Sequence, residues 1–331
     1  MTSQITGFDI GQKALKMVHF NKGVPVKAVT VELPEEMMLN GQIAQPEALA
    51  DFISVTAKKY GMPKKAAAVI LPTALCYART VTVPAMTEKQ LKYNLPYEFS
   101  DYLSDDRSMF NFDFEVLEDI PDENGQVKEQ RVFACTAAKS LLEGYKAMFK
   151  RAGYTLSVIV PEEYIFSRLC RGELGKEELA HKVFALVDLG QTATGIHILR
   201  HGQYDNKRTV DLSIDDVEKN ITRETGYELH RTDAAMPELL SALSLPSSME
   251  LYNRMAIEIM KAINFYNYNN RDTDLQDIYL MGGGAAIEPL VATIRQVTGL
   301  NICPVSDLLP ADMQTEEPEL YLRAICCAGK E

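Results

Sequence analysis

Apolar positions along this chain fall into short, partly alternating runs broken by Gly-containing turns, and the most informative runs come in two matching copies. In the first, Phe8-Asp9-Ile10-Gly11-Gln12 leads into Leu15-Lys16-Met17-Val18-His19-Phe20 and a turn at Asn21-Lys22-Gly23. In the second, Val187-Asp188-Leu189-Gly190-Gln191 leads into Gly195-Ile196-His197-Ile198-Leu199 and a turn at Arg200-His201-Gly202. Asp9 precedes Gly23 by the same spacing as Asp188 precedes Gly202. A strand, a tight Gly turn, a second strand and a second turn predict a β-hairpin in each copy. Two such hairpins half a chain apart predict a duplicated α/β fold with a ligand between its halves.

The segment between the copies has another character. Tyr77 to Val83 alternates like a strand, and Thr87-Glu88-Lys89-Gln90 reads as a capping box opening a short helix that Pro96 ends. Phe110, Phe112, Phe114 and Val116 share one face of a second strand, Pro121 to Gly125 is turn-rich, and Arg131 to Ala137 is a third strand. Ser140 opens a helix carrying Leu142, Tyr145 and Phe149, which Gly153 ends. This order predicts a small α+β insert over residues 78–157, between a first half at 1–77 and a remainder at 158–331. Beyond the second copy, helices are expected over Asp216 to Thr225, from Ser247 through Tyr266, and around Leu290 to Val297. A strand, Asp277 to Met281, runs straight into Gly282-Gly283-Gly284, and Gln314 to Pro318 is expected to be an acidic, mobile tail.

Composition narrows the function classes. Of 331 residues, 46% are hydrophobic and 24% charged, enough apolar material for one or two cores. A net charge of -12 disfavours nucleic acid and anionic lipid as partners, and the densest basic stretch, Lys58-Lys59 and Lys64-Lys65, reads as a solvated helix end. Asp9 interrupts the first apolar stretch, so no signal peptide is expected there. The longest apolar run, Ala66 to Pro72, is far too short to span a bilayer, and no amphipathic membrane helix is expected near the C-terminus. The six cysteines show no C-x-x-C spacing and read as reduced thiols of a cytoplasmic protein.

A single Asp-x-Gly is ordinarily just a turn, because both residues tolerate its backbone geometry. The pairing adds chemistry: glycines let backbone N–H groups approach a phosphate chain, and a neighbouring carboxylate can hold Mg²⁺ through water. A strand running through Gly-Gly-Gly into a helix is another phosphate or nucleoside seat, although its plain reading is a tight turn. Asp9-Ile10-Gly11, Asp188-Leu189-Gly190-Gln191-Thr192-Ala193-Thr194 and Met281-Gly282-Gly283-Gly284-Ala285 resemble the two phosphate motifs and the adenosine motif of the actin/Hsp70/sugar kinase superfamily. The insert, with Val83-Pro84-Ala85-Met86-Thr87-Glu88, Phe112-Asp113-Phe114-Glu115 and Arg131-Val132-Phe133-Ala134-Cys135-Thr136, is similar to that of the PilM family in the FtsA/PilM branch.

The resemblance implies an actin-like, duplicated ribonuclease H-like fold carrying a small α+β insert of the 1C or SHS2-like kind. It implies ATP, with phosphates at Asp9, Gly11, Gln12, Lys13 and Lys16 and at Asp188, Gly190, Gln191, Thr192 and Thr194. Adenosine would lie at Gly282, Gly283 and Gly284, with Glu238 near the ribose, and Asp9 and Asp188 would hold Mg²⁺ through water. It implies a cytoplasmic component of a type IV pilus platform, at most a weak ATPase. The partner would be the N-terminal tail of a PilN-like membrane protein, bound between the insert and the neighbouring subdomain, and self-association stays open. Two departures stand out: Gln12, Lys13 and Ala14 replace the hydroxyl residues usual after the first Asp-x-Gly, and Ser213-Ile214 replaces a Gly-Gly. A lost hydroxyl donor at phosphate costs about 1–3 kcal/mol. An FtsA-like division protein, a superfamily kinase and a nucleotide-free scaffold remain as alternatives.

Overall fold

The computed structural model describes residues 4–39, 41–103, 106–226 and 241–329. Strands β1 (Gln4–Ile10), β2 (Ala14–Asn21) and β3 (Val24–Glu32) form an antiparallel meander. A two-residue hairpin, β4 (Met38–Leu39) and β5 (Gln42–Ile43), precedes helix α1 (Pro46–Lys59) and strand β6 (Ala66–Leu71). Strand β6 is the longest apolar run of the sequence, and every one of its residues is buried. It lies parallel to β1, between two neighbours, where a strand covered on both faces needs no polar alternation.

The chain then leaves the sheet. β7 (Tyr77–Pro84), α2 (Glu88–Asn94), β8 (Phe110–Pro121) and β9 (Val127–Ala138) build a separate lobe around a three-stranded antiparallel sheet, order β7-β9-β8. The expected capping box is formed: the Thr87 backbone N–H donates to Gln90 Oε1 at 2.9 Å, and the Gln90 N–H donates to Thr87 Oγ1 at 3.4 Å. Val81, Val83, Leu91, Leu95, Phe99, Leu103, Val132 and Ala134 are the lobe's own core, with Phe110, Phe112 and Phe114 packed against it. The lobe is narrower than the 78–157 expected. Helix α3 (Lys139–Ala152) turns Tyr145, Met148 and Phe149 into the core beneath α1 and β1, and β10 (Thr155–Pro161) pairs with β6. The alternation that marked the lobe could not locate this exit, because α3 is amphipathic wherever it packs.

Helix α4 (Glu162–Cys170) leads to the second half. β11 (Val183–Leu189), β12 (Thr194–Arg200) and β13 (Gln203–Val210) form another antiparallel meander, followed by α5 (Ile214–Thr225) and α6 (Pro246–Asn269). β14 (Asp277–Met281) joins β11 in parallel, then come α7 (Glu288–Thr298), β15 (Asn301–Cys303) and α8 (Pro318–Ala328). The sheet orders β3-β2-β1-β6-β10 and β13-β12-β11-β14-β15 are the same topology twice. The predicted duplication is therefore present, strand for strand.

The residues expected to form a mobile tail do not. Gln314 donates to the carbonyl of Ser306 at 3.1 Å, and Pro318 opens α8, whose Leu320, Leu322, Ala324, Ile325 and Cys326 are buried. Helix α8 returns to the first half and packs on β1, β2 and β6, while also touching β14. Together with α4 it forms the core shared by both sheets. The approach is close enough that a β-carbon at Gly7 would run into the Ala324 carbonyl oxygen. Gly7→Val is expected to destabilise the chain by about 1–3 kcal/mol in urea unfolding. Gly144→Ala, in α3 where a β-carbon meets nothing within 4 Å, is expected to stabilise it by up to about 1 kcal/mol, as a helix-interior Gly→Ala change does.

Candidate functional site

The turns that close β1–β2 and β11–β12 face each other across a cleft between the halves. Asp9, Gly11, Gln12, Lys13 and Lys16 line it from one side, and Asp188, Gly190, Gln191 and Thr192 from the other. Gly282 and Gly283 complete a cavity of about 770 Å³, within the range that accepts a nucleotide-sized ligand. A β-carbon at Gly283 would meet nothing within 4 Å, so a flat ligand can lie against that backbone. Two expected contacts lie behind the cavity wall instead. Thr194 is buried and donates to the Leu212 carbonyl at 2.7 Å, and Gly284 sits under Ile214 and Leu189. Glu238 lies outside the described residues.

Several polar groups expected to meet phosphate are already engaged. Gln12 donates to the Met38 carbonyl at 3.0 Å and accepts from the Gly41 N–H at 2.9 Å, so it ties the first turn to β4–β5. Lys13 reaches across the cleft to Glu218 on α5 at 2.6 Å, with Asp215 at 3.6 Å. Gln191 donates to the same Glu218 carboxylate at 2.8 Å. The N–H groups of Ile214 and Asp215 donate to the carbonyls of Gly190 and Gln191, so the first turn of α5 is spent on the loop. Ser213, standing where a Gly was expected, has become the N-cap residue of that helix, paired with Asp216.

Below these loops the motif residues Asp9, Lys16 and Asp188 lie among charges that no motif announced. Arg323, on α8, donates through Nη2 to Asp188 Oδ2 at 2.7 Å and also to Glu162 Oε1 at the start of α4. Lys207 of β13 bonds Glu162 Oε2 at 2.8 Å and Thr73 Oγ1 at 2.9 Å. Lys16 pairs with Asp9 at 3.3 Å. Burial alone would raise the pKa of Glu162; Arg323 and Lys207 outweigh that and hold the carboxyl far below its ordinary value. Neighbouring Glu163 is shifted the other way, chiefly by burial. The sequence did carry one trace of this group: Arg323 is the sole charge in the run Leu320 to Ala328, and a charge amid buried apolar residues has to be paired.

With the fold and the cleft in view, comparison with known proteins places the chain. A family model described as type IV pilus assembly protein PilM matches residues 7–319. The chain belongs to the PilM family. A solved structure described as a PilM-PilN type IV pilus biogenesis complex is similar to it, with a TM-score of 0.73 and 20% identity over 98% of this chain and 97% of that one. The ethanolamine utilization protein EutJ from Carboxydothermus hydrogenoformans is similar over 98% of this chain and 89% of its own, with a TM-score of 0.56 and 12% identity. Comparison with curated protein sequences gave no match. The fold of this PilM-family chain is thus the actin-like one that the resemblance implied, with the duplication that the repeated hairpins predicted. No helix among the described residues is long and apolar enough to cross a membrane.

His197 shows how this cleft responds to acid. Its Nδ1 lies 2.8 Å from the Tyr204 hydroxyl, the residue is fully buried, and among the described residues Nε2 has no hydrogen-bond partner. Burial pushes its pKa down to about 3, so the 3.9 Å approach to Glu162 is that of a neutral ring. An unfolded chain takes up this proton near about pH 6.5. Between those values the unfolded state binds more protons, so stability falls as pH falls, by up to about 1.4 kcal/mol per pH unit. Urea unfolding of the full chain at a series of pH values between 7 and 4 is expected to show this slope, and His197→Gln to flatten it. An unchanged slope in that variant would place the acid sensitivity elsewhere.

Proposed function

We propose that this chain is a cytoplasmic, actin-like component of a type IV pilus assembly platform. It is held at the inner face of the cell membrane by the N-terminal tail of a PilN-like membrane protein. The observation that carries this reading is a groove of about 440 Å³ between the lobe and the first half. One wall is Phe114 of β8 with Phe133 and Cys135 of β9; the other is β10 with Tyr164 and Arg168 of α4. Phe133 and Tyr164 approach with ring centroids 5.3 Å apart, so aromatic surface from both sides meets in the groove. Both β8 and β10 are edge strands of their sheets. An unpaired edge beside an aromatic wall suits an extended peptide, which gains main-chain hydrogen bonds from the edge and specificity from the rings.

The partner is carried over from the PilM-PilN complex that this chain resembles. A tail of about ten residues that orders on binding gives micromolar affinity, because ordering offsets much of the apolar burial. In this reading ATP is a structural or switching ligand. Its phosphates lie between Gly11–Lys13 and Gly190–Thr192, and its adenosine beside Gly282–Gly283. Bound there, ATP supplies contacts to both halves at once and so biases the angle between them. Lys13 has to exchange Glu218 for phosphate to take part, and that engaged state also supports a second reading, a scaffold that works without nucleotide.

Fluorescence polarisation with a labelled peptide of the N-terminal cytoplasmic tail of a PilN-like one-span protein tests the partner. Micromolar binding is expected, with Phe133→Ala or Tyr164→Ala weakening it by about tenfold or more, the loss of about 1.4 kcal/mol typical of a buried aromatic anchor. Full affinity in both variants would remove the groove from the account.

A further inference from the structure

The cleft holds two facing carboxylates, Asp9 and Asp188, on the hairpins where a magnesium ion was expected. Each already has a cation: Lys16 at 3.3 Å from Asp9, and Arg323 at 2.7 Å from Asp188. Arg323 also binds Glu162, and Lys207 completes that pair at 2.8 Å. Three carboxylates therefore face three cations and balance them in number; burial raises the Asp188 carboxyl even so, and the 2.7 Å contact with Arg323 is what favours its charged form. A divalent ion held through water by Asp9 and Asp188 would add two charges to this cluster, and its waters would compete for the same carboxylate oxygens with Lys16 and with a guanidinium that does not deprotonate. Magnesium also demands near-ideal octahedral oxygen geometry. The expected magnesium therefore does not fit these side chains.

We propose that Arg323 is the resident cation of this cleft, standing in the role of the divalent ion, so that the site accepts a nucleotide's phosphates free of magnesium. The second half of this statement rests on the nucleotide reading above; the first does not. The cation comes with the C-terminal helix. Helix α8 packs on the first sheet, while Arg323 reaches Glu162 of α4 and Asp188 of the second half, so the charge that serves the cleft also joins the halves.

Two measurements on the full chain test this. In the first, Mn²⁺ is titrated without nucleotide and the free ion is read by electron paramagnetic resonance. The wild type is expected to bind none up to about 1 mM, a free-energy threshold near 4 kcal/mol. Arg323→Met, which leaves Asp9, Glu162 and Asp188 in excess over Lys16 and Lys207, is expected to gain at least about tenfold in Mn²⁺ affinity, and Arg323→Lys to stay silent. Wild-type Mn²⁺ binding that Asp188→Asn abolishes would overturn the proposal, as would a folded Arg323→Met that gains nothing. In the second, ATP affinity of the wild type is compared by calorimetry in Mg²⁺ and in EDTA, which decides the matter even if Arg323→Met does not fold. Equal affinity is expected, and binding about tenfold or more tighter with Mg²⁺ overturns the proposal. Binding in neither buffer counts against the nucleotide reading, while wild-type silence toward Mn²⁺ still upholds the cation assignment.

Discussion

One half-buried guanidinium joins parts of this molecule that are far apart in sequence. Arg323 sits on a helix whose apolar residues belong to the core shared by the two sheets, and its charged end lies between Glu162 and Asp188. Taking charges out of water costs several kcal/mol each, and the pairing of Arg323 with Glu162 and Asp188 offsets part of that. The consequence is positional. Helix α4, β11 and α8 are held in one mutual arrangement, because moving any of them would leave a buried charge unpaired.

The cleft shows what duplication keeps and what it releases. Both hairpins preserve their strand pairing and turn, and their aspartates lie on equivalent central strands. Around that frame the two copies have diverged. On the first side, Gln12 serves the β4–β5 hairpin. On the second, Gly190 and Gln191 serve the N-terminus of α5, and Glu218 bridges both sides through Lys13 and Gln191. Both turns keep their backbone form, while Gln12, Lys13 and Gln191 are each bonded to other groups of the protein.

The lobe is a separate unit on the same frame. Its core is its own, yet β9 runs straight into α3, which is committed to the core of the first half. That junction fixes the lobe at one end, and the ion pair of Glu115 with Arg171 at 3.0 Å adds a tether on the groove side. The groove between them is bounded by parts with different cores. The cleft and the groove share α4: Glu162 faces the one, Tyr164 and Arg168 the other.

The sequence by itself determined the local elements and the duplication. Period-two runs closed by glycines recur at equal spacing, and that pattern survives in any environment because it reflects backbone geometry and one buried face. It also marked Asp9, Gly11, Asp188, Gly190, Gly282 and Gly283, which line one cavity. It did not separate Thr194 and Gly284 from them, because facing a cavity or standing behind its wall depends on packing that neighbouring residues do not encode. The end of the lobe was misplaced for a similar reason: an amphipathic helix announces that it will bury a face, not which core will receive it. Arg323 was the residue hardest to see. It lies 135 residues from Asp188 and 161 from Glu162 along the chain, and such a pairing exists only once α8 has folded back onto the first sheet. Local propensity therefore decided the strands and turns, while the long-range return of one helix decided which charges meet and how the cleft is neutralised.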